Sequence, residues 1–243
     1  MSSRREFLGG SLTALAASPA SAQPVRVVCI GGHPDDPESG CGGTLARYAD
    51  AGHAVTIVYL TRGEAGIPGK SHEQAAAIRT AECEAACRIL KAKPVFAGQI
   101  DGATVVDNDA IEQMIRLVTA ERPDILLAHW PLDTHKDHQA ASILACRAWL
   151  ATRPRYGLYF FEVDLGSQTM GFHPTDYVDI AAVREKKKAA LFAHRSQDGE
   201  AIYREYHEAM ENFRARECGA SAAEAFVHLA RFSGASQLPG VSA

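Results

Sequence analysis

The chain has 243 residues, 47% hydrophobic and 22% charged, with a formal net charge of −4 and a pI near 6.2. That is the composition of a soluble globular chain long enough to bury one sizeable core, and its acidic balance argues against an electrostatic binder of nucleic acid. No apolar run has transmembrane length, so no membrane span is expected in the mature chain.

The first 22 residues differ from the rest. Arg4 and Arg5 precede Phe7 and Leu8, a mild apolar stretch follows, and Ala20-Ser21-Ala22 offers a small-x-small cleavage site before Gln23. This is the pattern of a twin-arginine signal peptide. It predicts a leader over 1–22, export to a bacterial periplasm, and a single domain over 23–243. Cargo on that route crosses already folded, so the six cysteines are expected as packed thiols rather than disulfides.

After the leader, apolar runs at 25–32, 54–61 and 124–130 read as buried strands. Helical patterns fall at 42–52, 71–92 (Ser71 as N-cap), 109–123 and 137–152. Strands alternating with helices predict an α/β, Rossmann-like, mostly parallel sheet flanked by helices, with ligands outside the carboxyl ends of the strands. Further on, 156–163 and 177–180 read as strands and 184–195 and 199–219 as helices. The run Glu185-Lys186-Lys187-Lys188 reads as a solvated helix face.

Two polar clusters sit at strand ends. The first, HPDDPE, crowds His33, Asp35, Asp36 and Glu38 after the first strand. Carboxylates that close repel unless a positive charge lies among them, and a divalent metal is the expected one. The second, HWPLDTHKDH, brings His129, Asp133, His135, Asp137 and His138 after the 124–130 strand. His33, Asp36 and His138 make an open His-Asp-His ligand set, which suits zinc and also iron(II). Asp35, beside a ligand, is the expected base toward metal-activated water. His135 is expected to stabilise an oxyanion, with Asp137 fixing its tautomer. Glu38 reads as a favourable charge at a helix start. His129 reads as a buttress, Asp133 as an orienting or turn-capping group, and His194 equally as a helix C-cap or a pocket residue.

These two motifs resemble the signatures of the LmbE-like, or PIG-L, zinc deacetylases. LTRGEAGIPG (60–69), AAAIRTAECEAACRIL (75–90), DG (101–102), AHRSQ (193–197) and AEAF (223–226) resemble further family positions in the same order. The resemblance implies one Zn2+ per chain on His33, Asp36 and His138, with Asp35 as base and His135 on the oxyanion. It also implies removal of an acetyl group from an N-acetylglucosamine-type sugar or glycoconjugate. Arg62 and Asp101 match positions that face substrate in relatives, and relatives that assemble leave a homo-oligomer open. Competing expectations are a metal-dependent amidase acting on a larger thiol or glycopeptide conjugate, and a carbohydrate- or metal-binding protein without turnover.

Overall fold

The structure, a computed structural model, describes residues 24–152, 156–163 and 168–229. The expected leader lies outside the described residues. Its strands are β1 (Arg26–Gly31), β2 (Ala54–Tyr59), β3 (Lys93–Phe96), β4 (Ile125–His129), β5 (Gly157–Phe161), β6 (Asp176–Asp179) and β7 (Ala223–Leu229). The helices are α1 (Asp36–Asp50), α2 (His72–Leu90), α3 (Asn108–Glu121), α4 (Lys136–Ala151), α5 (Arg184–Leu191), α6 (Gly199–Ile202) and α7 (Glu208–Cys218).

The period of two along a strand divides the core. Val27, Cys29, Ile125, Leu127, Tyr159 and Phe161 pack on one face of the sheet with Leu45, Tyr48 and Leu90. Their neighbours Val28, Ile30, Leu126, Ala128, Leu158 and Phe160 pack on the other with Met114, Leu144 and Trp149. Strands buried on both faces must be apolar throughout, which is why these segments show runs rather than alternation. Turn chemistry sets the helix starts: the Ser71 hydroxyl accepts from the Gln74 N–H at 3.2 Å, and Gln74 Oε1 accepts from the Ser71 N–H at 3.2 Å.

The sheet order is β3-β2-β1-β4-β5-β7-β6. Neighbouring strands are parallel from β3 to β5, whereas β7 runs antiparallel to both β5 and β6. Chain order reverses between β1 and β4, and a crevice opens there beyond their carboxyl ends. Both polar clusters start at this point.

The structure corrects several expectations. β3 has no counterpart among the expected elements; it is a short edge strand that tolerates Pro94 because its outer side needs no ladder bond. β7 was not foreseen either. α1 begins at Asp36 rather than 42, and Cys41 (φ −144°, ψ 17°) divides it into two pieces. α5 stops at Leu191, and the 199–219 helix contains a π turn over Tyr203–His207. Lys187, placed on a solvated face, is 1% exposed. Its ammonium lies 2.8 Å from Glu211 and 2.7 Å from Glu224, carboxylates too distant in sequence to be foreseen. As expected, the cysteines are free thiols, with Cys29, Cys41, Cys83 and Cys87 buried. Among the described residues no helix is long and apolar enough to cross a membrane.

Candidate metal centre

The turn after β1 places His33, Asp35 and Asp36 against the first turn of α4. Asp36 Oδ2 is the hub. It accepts from the His33 N–H at 2.7 Å and lies 3.2 Å from His33 Nδ1, 3.2 Å from His138 Nε2 and 3.3 Å from His129 Nε2. The opposite nitrogens of the first and second of these rings are tied to carboxylates. His33 Nε2 is 3.1 Å from Asp137 Oδ2 and 3.3 Å from Asp101 Oδ1, while His138 Nδ1 is 3.0 Å from Asp133 Oδ2. A carboxylate on the outer N–H of an imidazole fixes the tautomer that turns the other lone pair inward. The inward atoms are then His33 Nδ1 and His138 Nε2, both beside the same Asp36 oxygen.

That donor set fits a divalent cation. Ligands on a tetrahedral zinc with bonds of about 2.0–2.1 Å stand about 3.3 Å apart, close to the two 3.2 Å spacings here. Among the described residues, ligand atoms converge within 4.8 Å in three overlapping sets, none of which holds His33, Asp36 and His138 together: His33, His135 and His138; Asp36, His129 and His138; His33, Asp101 and Asp137. Hydrogen bonding sorts them. His129 Nε2 accepts from the Gly32 N–H at 3.0 Å, so its lone pair is already engaged. Its ring stacks on His138 at 4.0 Å and braces it.

The charges are strongly perturbed. Burial drags the His138 imidazole down, but Asp36 and Asp133 outweigh it and hold it at about 9. For His33 burial is likewise overcome, by Asp101, Asp137 and Asp36, leaving it well above the usual histidine value. Burial raises Asp36, yet the charge of His138 pulls its carboxyl well below the usual range. His129 falls to about 4 through burial and the neighbouring His138 charge. Burial pushes Asp35 up to about 6 against the pull of Arg79. So many acidic and imidazole groups sharing one water-poor pocket is an arrangement a cation relieves.

The cavity beside this cluster has a volume of about 470 Å³ and is lined by His33, Asp35, Asp36, Arg79, Asp101, His135 and His138 among others. Asp35 is the residue preceding α1 and sits at φ 113°, a strained conformation for a residue with a side chain. Glu38 Oε2 accepts its N–H at 3.3 Å, and Arg79 Nη2 is 3.0 Å from its carboxylate. His135 Nδ1 accepts the Asp137 N–H at 3.3 Å, so a neutral His135 carries its proton on Nε2.

A family model described as PIG-L, GlcNAc-PI de-N-acetylase, matches residues 28–149, half of the chain. The chain belongs to the PIG-L family. The diacetylchitobiose deacetylase of Thermococcus kodakarensis is 30% identical over 192 residues, covering 73% of this chain and 72% of that protein. The N,N'-diacetylchitobiose deacetylase of Pyrococcus horikoshii has the same fold, with a TM-score of 0.76 at 24% identity over 85% of this chain and 84% of that one. So has the 4-carboxy-2-hydroxymuconate hydratase of Pseudomonas putida KT2440, with a TM-score of 0.76 at 23% identity over 84% and 96%. The fold therefore hosts more than one reaction, and the chemistry of this PIG-L chain has to be argued from its site.

The structure brings His33, Asp35, Asp36, Asp101, His135, Asp137 and His138 together, with a different partner for the Asp137 carboxylate, a second contact for Asp101, and Arg62 left outside the cavity. The Asp137 carboxylate turns to His33, Thr104 (2.6 Å) and the Gly102 N–H (2.8 Å), and only its backbone N–H meets His135. Asp101 lines the cavity but also touches His33 and accepts the Ala65 N–H at 3.1 Å. Arg62 is not among the lining residues. Thr61 is buried and its hydroxyl donates to the Gly32 carbonyl, whereas Arg62 is exposed, its guanidinium carbon 5.6 Å from the Phe96 ring centroid.

Arg79, in the middle of α2, is the arginine of this cavity. It is 3% exposed and also donates to the Pro34 carbonyl. The signal was the glycine pair in RGEAG: a Cβ at Gly63 or Gly66 would lie 2.3 Å or 2.4 Å from Arg79 Nη1. Glu38 is wholly buried, accepting the Tyr59 hydroxyl at 2.6 Å and lying 3.2 Å from His194 Nε2. The AHRSQ segment thus buttresses the turn from behind. Its Ser196 holds Glu82 of α2, and its Gln197 donates to the Gly66 carbonyl at 3.0 Å.

Proposed function

We propose that this PIG-L protein is a zinc-dependent hydrolase that removes the N-acetyl group from an N-acetylglucosamine-type sugar or glycoconjugate. One observation carries the reading: two histidines, each oriented by a carboxylate on its outer nitrogen, direct their inner nitrogens at one oxygen of Asp36, with a second carboxylate, Asp35, facing the same cavity. His33, Asp36 and His138 are the residues that would hold the metal. When bound, a divalent cation supplies Lewis acidity, acidifying water and polarising a carbonyl oxygen.

The chain supplies the rest. Asp35, held by Arg79 and by its strained backbone, takes the proton of the attacking water and passes it to the departing amine. His135 Nε2–H donates to the acetyl oxygen as charge develops there, its other nitrogen being engaged by the Asp137 N–H. Arg79 and Asp101 offer the cavity a fixed donor and a fixed acceptor for substrate hydroxyls. The names of the relatives support a carbohydrate substrate, and a cavity of about 470 Å³ lies within the range of small-molecule sites.

The test is release of free amine from N-acetylglucosamine, its disaccharide and an acetylated glycoside, before and after chelation and on return of zinc. Chelator-sensitive release restored by zinc is expected. Absence of release from all three, together with zinc-dependent hydration of an unsaturated carboxylate, would contradict the reading and favour the reaction of the hydratase relative.

A further inference from the structure

The AEAF segment, residues 223–226, has no part in the cavity, yet its glutamate reaches the helix that carries the metal-binding turn. At the Cys41 kink α1 leaves helical geometry, and the next N–H groups lose their acceptors four residues back, as at any helix start. Glu224 replaces those acceptors. Its Oε1 accepts the Gly43 N–H at 2.8 Å, and its Oε2 accepts the Thr44 N–H at 2.7 Å and the Thr44 hydroxyl at 2.6 Å. Glu224 is 3% exposed and Thr44 is fully buried. Lys187, 2.7 Å from Glu224 Oε1, balances the charge.

The two pieces of α1 are seated separately. A Cβ at Gly40 would lie 2.6 Å from the Phe161 ring and 2.8 Å from the Glu162 carbonyl, so the first piece is pressed onto β5. A Cβ at Gly43 would lie 2.6 Å from Ile180, so the second is pressed onto the segment after β6. Two acceptor sets compete for the same N–H groups. In a straight helix Gly43 and Thr44 would bond the carbonyls of Ser39 and Gly40; here they bond Glu224.

We propose that Glu224 is a positioning residue for the metal centre: by capping the second piece of α1 it holds the kink that aims Asp36 at His33 and His138 and sets Asp35 at the cavity. Without that carboxylate the N–H groups return to the Ser39 and Gly40 carbonyls, Cys41 returns to helical geometry, and the first turn swings with its two aspartates. The inference rests on the reading of His33, Asp36 and His138 as ligands.

The test uses the full chain, stripped of metal and titrated with Co2+, whose d–d absorption reports both affinity and ligand geometry. Thermal unfolding of the metal-free protein reports the fold. Glu224→Gln is expected to bind Co2+ about 10–100-fold more weakly with an altered band shape. Its kcat falls while KM stays near wild type. Thr44→Val, which leaves every charge in place, shows a smaller loss of the same kind. A lower melting temperature in both variants, with wild-type Co2+ affinity and band shape, would overturn the inference while leaving the ligand assignment standing. If Glu224→Gln does not fold, Thr44→Val decides by the same two readings. A wild-type chain that binds no Co2+ takes down the ligand assignment and this inference together.

Discussion

At the scale of single residues, one carboxylate does two jobs in the cluster. Asp133 places Oδ2 at 3.0 Å from His138 Nδ1, and its Oδ1 accepts the His135 N–H at 2.7 Å. Asp133→Asn is therefore expected to weaken zinc binding about 10–100-fold, measured by competition with a chromogenic chelator; unchanged affinity would deny it the orienting role. Asp35→Asn is expected to keep the metal and lose about 10²–10⁴-fold in kcat, because only the proton acceptor is removed. A variant with near-wild-type turnover would end the base assignment. The cluster was legible in the sequence because its members follow two strand ends within a few residues of each other. Arg79 was not: it lies on the inner face of α2, and only the glycines at 63 and 66, far from it in sequence, separate it from a solvent arginine. Arg62 lies outside the cavity lining, in the loop beyond β2, with its guanidinium over the Phe96 ring.

At the scale of elements, α5, α7 and β7 are joined by buried charges. Lys187 of α5 sits between Glu211 of α7 and Glu224 of β7, and Arg184 Nε is 2.9 Å from Glu211 Oε2. Burial raises the Glu211 carboxyl, but Lys187 and Arg184 outweigh it and hold it below the usual glutamate value of 4.5. A lowered folded-state value means that Glu211 contributes stability above that pH, and that the contribution is lost as pH falls through the folded value. Urea unfolding at a series of pH values should show the gap between wild type and Glu211→Gln narrowing below about pH 4.5. A gap constant down to the acid limit of folding would contradict this. The same cluster explains why Lys187 escaped the sequence: a lysine run marks a solvated face unless acidic partners come from elsewhere in the chain. β7 was hidden for a related reason, since its Glu224 looks foreign to a strand until Gly43, Thr44 and Lys187 meet it. β1, β2, β4 and β5 needed no such partners, and their apolar runs announced them.

At the scale of the whole molecule, the two-faced sheet makes the site possible. Leu127 lies at the centre of β4, fully buried on the α1 side. Leu127→Ala is expected to cost about 2–5 kcal/mol, read as a lower denaturation midpoint with an unchanged slope. A loss under about 0.5 kcal/mol, the range of surface substitutions, would show that this layer is not tightly packed. The parallel order was legible because alternating strands and helices allow few topologies. The reversal between β1 and β4 carries that order to function, because it opens the crevice between the two motifs rather than beneath one of them. The ligand set is tested by an anomalous difference map, recorded at the zinc edge, from crystals of the zinc-loaded protein. One peak per chain is expected, bounded by His33 Nδ1, Asp36 and His138 Nε2. A peak held instead by His129, or no peak in protein prepared with zinc, would contradict it.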